Sequence, residues 1–182
     1  MKRYAFVIHK NLSVLFLVIA LIGYAGFRNL QEAWRSLSAN SIGAEYLDSR
    51  NVVYQTKRNN CGPSVMKMIL EYNGIDVSVE EIEKQVVLTE HGLNMNELHI
   101  LAGKFGISSE GWVLTANDLL TVEYPVILFV NGQHFITADS IGRDGIYLRD
   151  PSLGRIKLPL RRLNDIWNGE TLIFRHTIKR KR

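Results

Sequence analysis

One side chain in this sequence stands out as a nucleophile. Cys61 is the single cysteine, set between Asn59-Asn60 and Gly62-Pro63. Val65, Met68, Ile69 and Tyr72 follow it at i, i+3, i+4 and i+7, an apolar stripe that predicts a helix opening at Gly62-Pro63. The unpaired N–H groups and the dipole at a helix start stabilise an anion there. A thiol in that place ionises more readily, and the thiolate is the reactive form. A free cysteine is more often a small buried filler. The helix start and the polar residues before it favour reaction here.

A cysteine nucleophile needs a base. Of the five histidines, His9 falls in the N-terminal segment, His91 in a polar loop, His99 on an exposed helix position and His176 in a basic tail. His134 follows Asn131-Gly132-Gln133 at a strand start between apolar strands, which makes it the candidate. A third group should orient that base. Asp139, Asp144 and Asp150 are near in sequence; Asp144 sits in a Gly-Arg-Asp-Gly turn that explains it without further role. Asp150 ends the next strand before Pro151, and a hairpin would bring it back toward His134, so Asp150 is preferred. Gln55, six residues before Cys61, can offer its amide to an oxyanion.

These residues need a scaffold. Helices are expected after Cys61, after a Ser78/Glu81 capping box carrying Val79, Ile82 and Val86, and after Asn94/Glu97 with Leu98, Leu101, Ala102 and Phe105 inward. Thr115 to Asp118 caps a short helix. Strands are expected at residues 126–130, 135–139, 145–150, 155–160 and 171–174, with a short helix at residues 160–167. Helices first and antiparallel strands afterwards imply an α+β domain.

The chain has 182 residues and a net charge of +4, unevenly placed. Residues 1–47 carry +3, residues 48–174 carry −4 and residues 175–182 carry +5. The basic residues lie at the ends, with no basic stripe interleaved with aromatics, so nucleic acid is not an expected partner. Residues 11–27 contain no charge and almost no polar face, which reads as a membrane insertion signal. A retained anchor is preferred over a cleaved signal with Gly23 and Ala25 at the cleavage site. Three basic residues before the segment against two after it place the main domain on the outer face. The expected layout is an anchor at 1–27, a juxtamembrane helix and linker at 28–49, the domain at 50–175 and a basic tail at 176–182. A lone cysteine excludes disulfides and multi-cysteine zinc sites. Phosphate loops, HExxH and GxSxG are missing, so no cofactor and no metal are expected.

Gln55-Thr-Lys-Arg-Asn-Asn-Cys61-Gly62-Pro63 before an apolar helix resembles the catalytic-cysteine motif of the double-glycine leader peptidases, the bacteriocin-processing, papain-like cysteine peptidases often fused to ABC exporters. The similarity continues through Gly92-Leu-Asn-Met-Asn96, Tyr124-Pro-Val-Ile-Leu128, Gly132-Gln-His134-Phe and Asp150-Pro-Ser-Leu-Gly154, covering about residues 50–175. It implies a papain-like fold, Cys61 as nucleophile, His134 as general base and then acid, Asp150 as orienter and Gln55 in the oxyanion hole. It also implies cleavage after a small-residue pair, typically Gly-Gly, in a leader peptide. The sequence departs from the pattern in two ways. Asn60 stands where the family commonly has an acidic residue, and one N-terminal span replaces the exporter's membrane and ATPase domains. Exporter-linked peptidase domains work in the cytoplasm, opposite to the side favoured by the charge count. The expected function is membrane-anchored leader removal from bacteriocin-like peptides or pilin-like subunits, with a separate exporter or secretion apparatus as partner. The alternatives are a leader-binding module that does not cut and an acyl transferase.

Overall fold

The computed structural model describes residues 2–175, with side chains from residue 16 onward. The basic tail expected at residues 176–182 lies outside the described residues. The chain begins with one long helix, α1 (Lys2–Ser41), and a short strand, β1 (Glu45–Asp48). Three helices follow: α2 (Cys61–Tyr72), α3 (Val79–Glu83) and α4 (Met95–Lys104). Then come β2 (Ser109–Val113), a 3₁₀ turn at Asp118–Leu120, β3 (Val126–Val130), β4 (His134–Gly142), β5 (Gly145–Asp150), β6 (Gly154–Leu158), α5 (Leu160–Ile166) and β7 (Trp167–Phe174).

The strands form one antiparallel sheet in the order β1-β6-β5-β4-β3-β7-β2. Both faces of its centre are covered, which is why β3 reads Val-Ile-Leu-Phe-Val without polar alternation. Ile127, Phe135, Leu172 and Phe174 meet Val65, Met66, Ile69, Leu98 and Leu101 of α2 and α4 on one face. Val126, Leu128, Ile136, Leu148 and Ile156 meet Ala39, Leu119 and Leu163 on the other. Full burial of a side chain such as Phe135 stabilises by roughly 1.5–3 kcal/mol. Both expected capping boxes form: the Ser78 hydroxyl accepts from the Glu81 amide at 3.2 Å, and the Asn94 side chain accepts from the Glu97 amide at 2.9 Å.

The α+β architecture agrees with the sequence reading, but three details differ. The short strands β1 and β2 were not expected. Each is a sheet edge with little buried surface, so neither carries an apolar alternation; they are strands because β6 and β7 supply the ladder partners. β7 starts at Trp167 rather than 171, because Trp167 pairs with Val130 and carries the strand through Asn168-Gly169. Finally, α1 runs without a break through the expected span at residues 11–27, of which residues 11–15 lie outside the described side chains. Among the described residues no helix is long and apolar enough to cross a membrane.

Candidate active site

Cys61 is the first residue of α2, and the packing of α2 against β4 brings it to His134, the first residue of β4. Asp150 is the last residue of β5, the strand beside β4. The hairpin therefore returns Asp150 to the level of His134, and Nε2 of His134 lies 2.9 Å from Oδ1 of Asp150. That leaves Nδ1 of the ring to face Cys61, to which His134 is hydrogen-bonded. Amides of Ser152 and Leu153 donate to the same Asp150 oxygen at 2.6 and 3.3 Å, which fixes the carboxylate in a buried turn.

The electrostatics favour a thiolate–imidazolium pair. Burial pushes the Cys61 thiol up, but hydrogen bonds from His134 and the Phe135 amide, the His134 charge and the Gly62 amide together bring it below its ordinary value. Burial pulls His134 down, yet the hydrogen bonds to Asp150 and Cys61 and their charges raise it to about 10. The geometry thus holds a charged sulfur, a proton on the adjacent ring and a fixed carboxylate behind it, the arrangement that nucleophilic acyl chemistry requires. The pair opens into a cleft of about 960 Å³ whose walls include Asn59, Thr89, Gly92, Leu93, Phe129 and Gly132.

The other sequence candidates are placed elsewhere. Asp139 receives a bidentate bond from Arg149 at 2.7–2.9 Å, and Asp144 accepts from Tyr147 and Lys157, so neither serves His134. His99 contacts Ser109, and His91 is exposed beside Glu90 at the cleft rim. Gln55 is tethered to the Asp150 turn: its amide donates to the Pro151 carbonyl at 3.0 Å and its Oε1 accepts from Ser152 at 3.1 Å. One hydrogen of its side-chain amide goes to the Lys57 carbonyl at 3.2 Å, and Gln55 is not among the residues lining the cleft.

The bonding of two residues beside the site, Asn60 and Glu83, was not foreseen. Asn60 precedes α2 at the capping position but does not cap it. Its buried Oδ1 turns back to accept from the Thr56 and Lys57 amides, and its Nδ2 donates to Thr56 and, at 2.9 Å, to Glu83 of α3. Glu83 is also paired with Lys57. Glu83 of α3 thus anchors the residue that precedes the cysteine. The sequence held a clue: Pro63, at the third helical position, has no N–H for a capping side chain, and the Gly62 N–H goes to the sulfur.

Comparison with known proteins bears on the family and the fold. The model of the Peptidase C39 family matches residues 49–179. An uncharacterized protein of Methanothermobacter marburgensis is 25% identical over 128 residues, covering 70% of this chain and 90% of that protein. A probable functional amyloid protease, FapD, of Pseudomonas fluorescens is 27% identical over 130 residues, covering 65% of this chain and 58% of that protein. A probable microcin-H47 secretion/processing ATP-binding protein of Escherichia coli is 25% identical over 121 residues, 66% of this chain but only 17% of the larger protein. Among solved structures, a double glycine motif protease from an AMS/PCAT transporter in complex with a leader peptide superimposes with a TM-score of 0.66 at 24% identity, covering 72% of this chain and 97% of that one. The peptidase domain of Streptococcus ComA gives 0.62 at 18% identity, covering 68% and 96%. At these identities the two structures establish the shared fold.

Proposed function

Since this chain belongs to the Peptidase C39 family and is a cysteine peptidase, we propose that it is a membrane-anchored endopeptidase that removes leader peptides from small secreted precursors at small-residue or Gly-Gly sites. The observation that carries the reading is the linked series Cys61, His134, Asp150, whose first two members line one cleft. The Cys61 thiolate attacks the scissile carbonyl carbon, and the carbonyl oxygen becomes an oxyanion at the start of α2. In this proposal the second hydrogen of the Gln55 amide, the one not given to Lys57, goes to that oxyanion once the side chain turns toward the cleft. As the C–N bond breaks, His134 gives its proton to the leaving amine. Water, deprotonated by the now neutral His134, then attacks the thioester and releases the carboxylate product with regeneration of the thiol pair. Asp150 holds the ring in orientation throughout.

The substrate class draws support from relatives whose names include bacteriocin-type processing exporters and a functional amyloid protease. Bacteriocin-like peptides and pilin-like subunits are the precursors in view, delivered to a separate exporter or secretion apparatus. The anchor rests on the uncharged run at residues 11–27 inside one continuous helix, and the outer-face placement rests on the flanking basic residues. Mass spectrometry of secreted peptides from cells with and without an active Cys61 tests the reading. A mature N-terminus that disappears with Cys61→Ala identifies substrate and cut site together. Unchanged processing by the variant refutes the peptidase assignment, and leader binding without any cut product points to the capture module instead.

A further inference from the structure

The C-terminal part of α1 is amphipathic the wrong way round for a helix that belongs only to its own domain. The side turned toward the domain carries Glu32, Arg35, Ser36 and Ala39. Ala39 is fully buried, and the Arg35 guanidinium lies 3.8 Å from the centre of the Tyr54 ring. The opposite side carries Phe27, Leu30, Trp34 and Leu37, which are 58%, 72%, 60% and 70% exposed. An apolar stripe left uncovered by its own fold calls for another occupant.

The spacing of the stripe says what fits. Phe27, Leu30, Trp34 and Leu37 are separated by three, four and three residues, the 3.5-residue period of a helix that packs along a second helix. Continued toward the N-terminus with the same alternation, the stripe takes in Gly23, Ala20 and Phe16, all exposed. Residues 16–27 are apolar nearly all round, so the period is diagnostic at 27–37, where polar residues frame it. Upstream it adds that the small residues Ala20 and Gly23 fall on the same line, where they allow close approach of helices. The positions that border the stripe, Gln31, Ala33, Ser38 and Asn40, carry no charge, so two parallel copies meet without like-charge repulsion. The charges Arg28, Glu32 and Arg35 lie off the stripe, with Arg28 and Glu32 paired to each other. A lipid surface would instead favour a broad apolar face bordered by basic residues.

We infer that α1 is a homodimerisation helix: Phe27, Leu30, Trp34 and Leu37 pack against the same residues of a second, parallel copy of this chain. The two domains then stand side by side on the outside of the helix pair, because α1 uses its polar side to hold its own domain and its apolar side to hold its partner. The contact does not involve Cys61 or His134, so it is independent of the peptidase reading.

Cysteine scanning of the full chain in detergent micelles tests the contact, with Cys61→Ala as the background. Under mild oxidation, Leu30→Cys, Trp34→Cys and Leu37→Cys should form disulfide-linked dimers, at least about tenfold more than Asn29→Cys or Ser36→Cys. Sedimentation of the unaltered chain should give twice the protein mass, and the double variant Leu30→Glu/Leu37→Glu should give the monomer mass. Iodoacetamide should label Cys61 of that double variant at the unaltered rate, which checks that the domain is intact. A monomeric unaltered chain, or equal cross-linking at all positions, overturns the inference. Stripe thiols that are shielded from a water-soluble maleimide but never cross-link also overturn it and assign the face to lipid.

Discussion

At the scale of single residues, the site depends on where three charges are held. The proton of His134 is stabilised by Asp150 and by the Cys61 sulfur, so the active pair exists between the lowered ionisation of Cys61 and the loss of the His134 proton near pH 10. The pH–rate profile of kcat/KM should be bell-shaped, with its acid limb below the ordinary thiol range and its alkaline limb near 10. Asp150→Asn removes a group that raises His134, so the alkaline limb should move toward lower pH, with a rate loss on the order of 10²-fold. Cys61→Ala should cost at least about 10³-fold while leaving the fold intact by circular dichroism. Asn60 gives a sharper test. Asn60→Asp sets a second carboxylate against Glu83 where an amide now donates at 2.9 Å, and should destabilise by roughly 1–3 kcal/mol in urea unfolding. Adding Glu83→Gln reverses the donor and acceptor and should restore most of that loss. No recovery in the double variant would mean that Asn60 does not act through Glu83.

At the scale of elements, each side chain proposed for catalysis sits at a boundary: Cys61 opens α2, His134 opens β4 and Asp150 closes β5. Boundaries expose side chains and backbone N–H groups that element interiors would consume. The loop that faces them is pinned rather than free. Asn59 donates to the Thr89 carbonyl at 2.7 Å, and Gly92, at φ +80°, comes so close that a Cβ would stand 2.8 Å from the Asn59 carbonyl oxygen. Gly92→Ala should therefore cost about 1–3 kcal/mol of stability through both strain and overlap. It should also lower kcat/KM, because the displaced backbone is that of the loop leading to Cys61. Thermal melting and steady-state rates measure the two effects separately.

At the scale of the whole molecule, the sheet draws on sequence from well before the catalytic motif. β1 covers the β6 edge, and Ala39 and Ala44 complete the second core against Leu163 and its neighbours. Deleting residues 1–48 uncovers that edge and that core, so the remaining chain should melt at least about 5 °C lower and associate through the bare strand. Deleting residues 1–26 alone removes neither contact and should leave the melting temperature of the domain within about 2 °C of the full chain. The same comparison separates the two halves of α1, of which only the second carries both the domain contact and the proposed pairing stripe.

Local pattern was enough to place much of this protein. The apolar stripe after Cys61, the two capping boxes and the uninterrupted apolar run of β3 state their elements directly, because capping and periodicity act within a few residues. Cys61, His134 and Asp150 were legible as candidates for the same reason: each is a reactive type at an element boundary. The tertiary structure decided the matters that depend on distance. It gave Asp139 to Arg149 and left Asp150 for His134, turned Gln55 toward the Asp150 loop, and set Glu83 beside Asn60. It also made strands of residues 45–48 and 109–113, whose own sequences bury too little to announce themselves. Hydrogen bonds between residues far apart in the chain leave no periodic trace in the sequence, and only the packed sheet brings those partners within reach of each other.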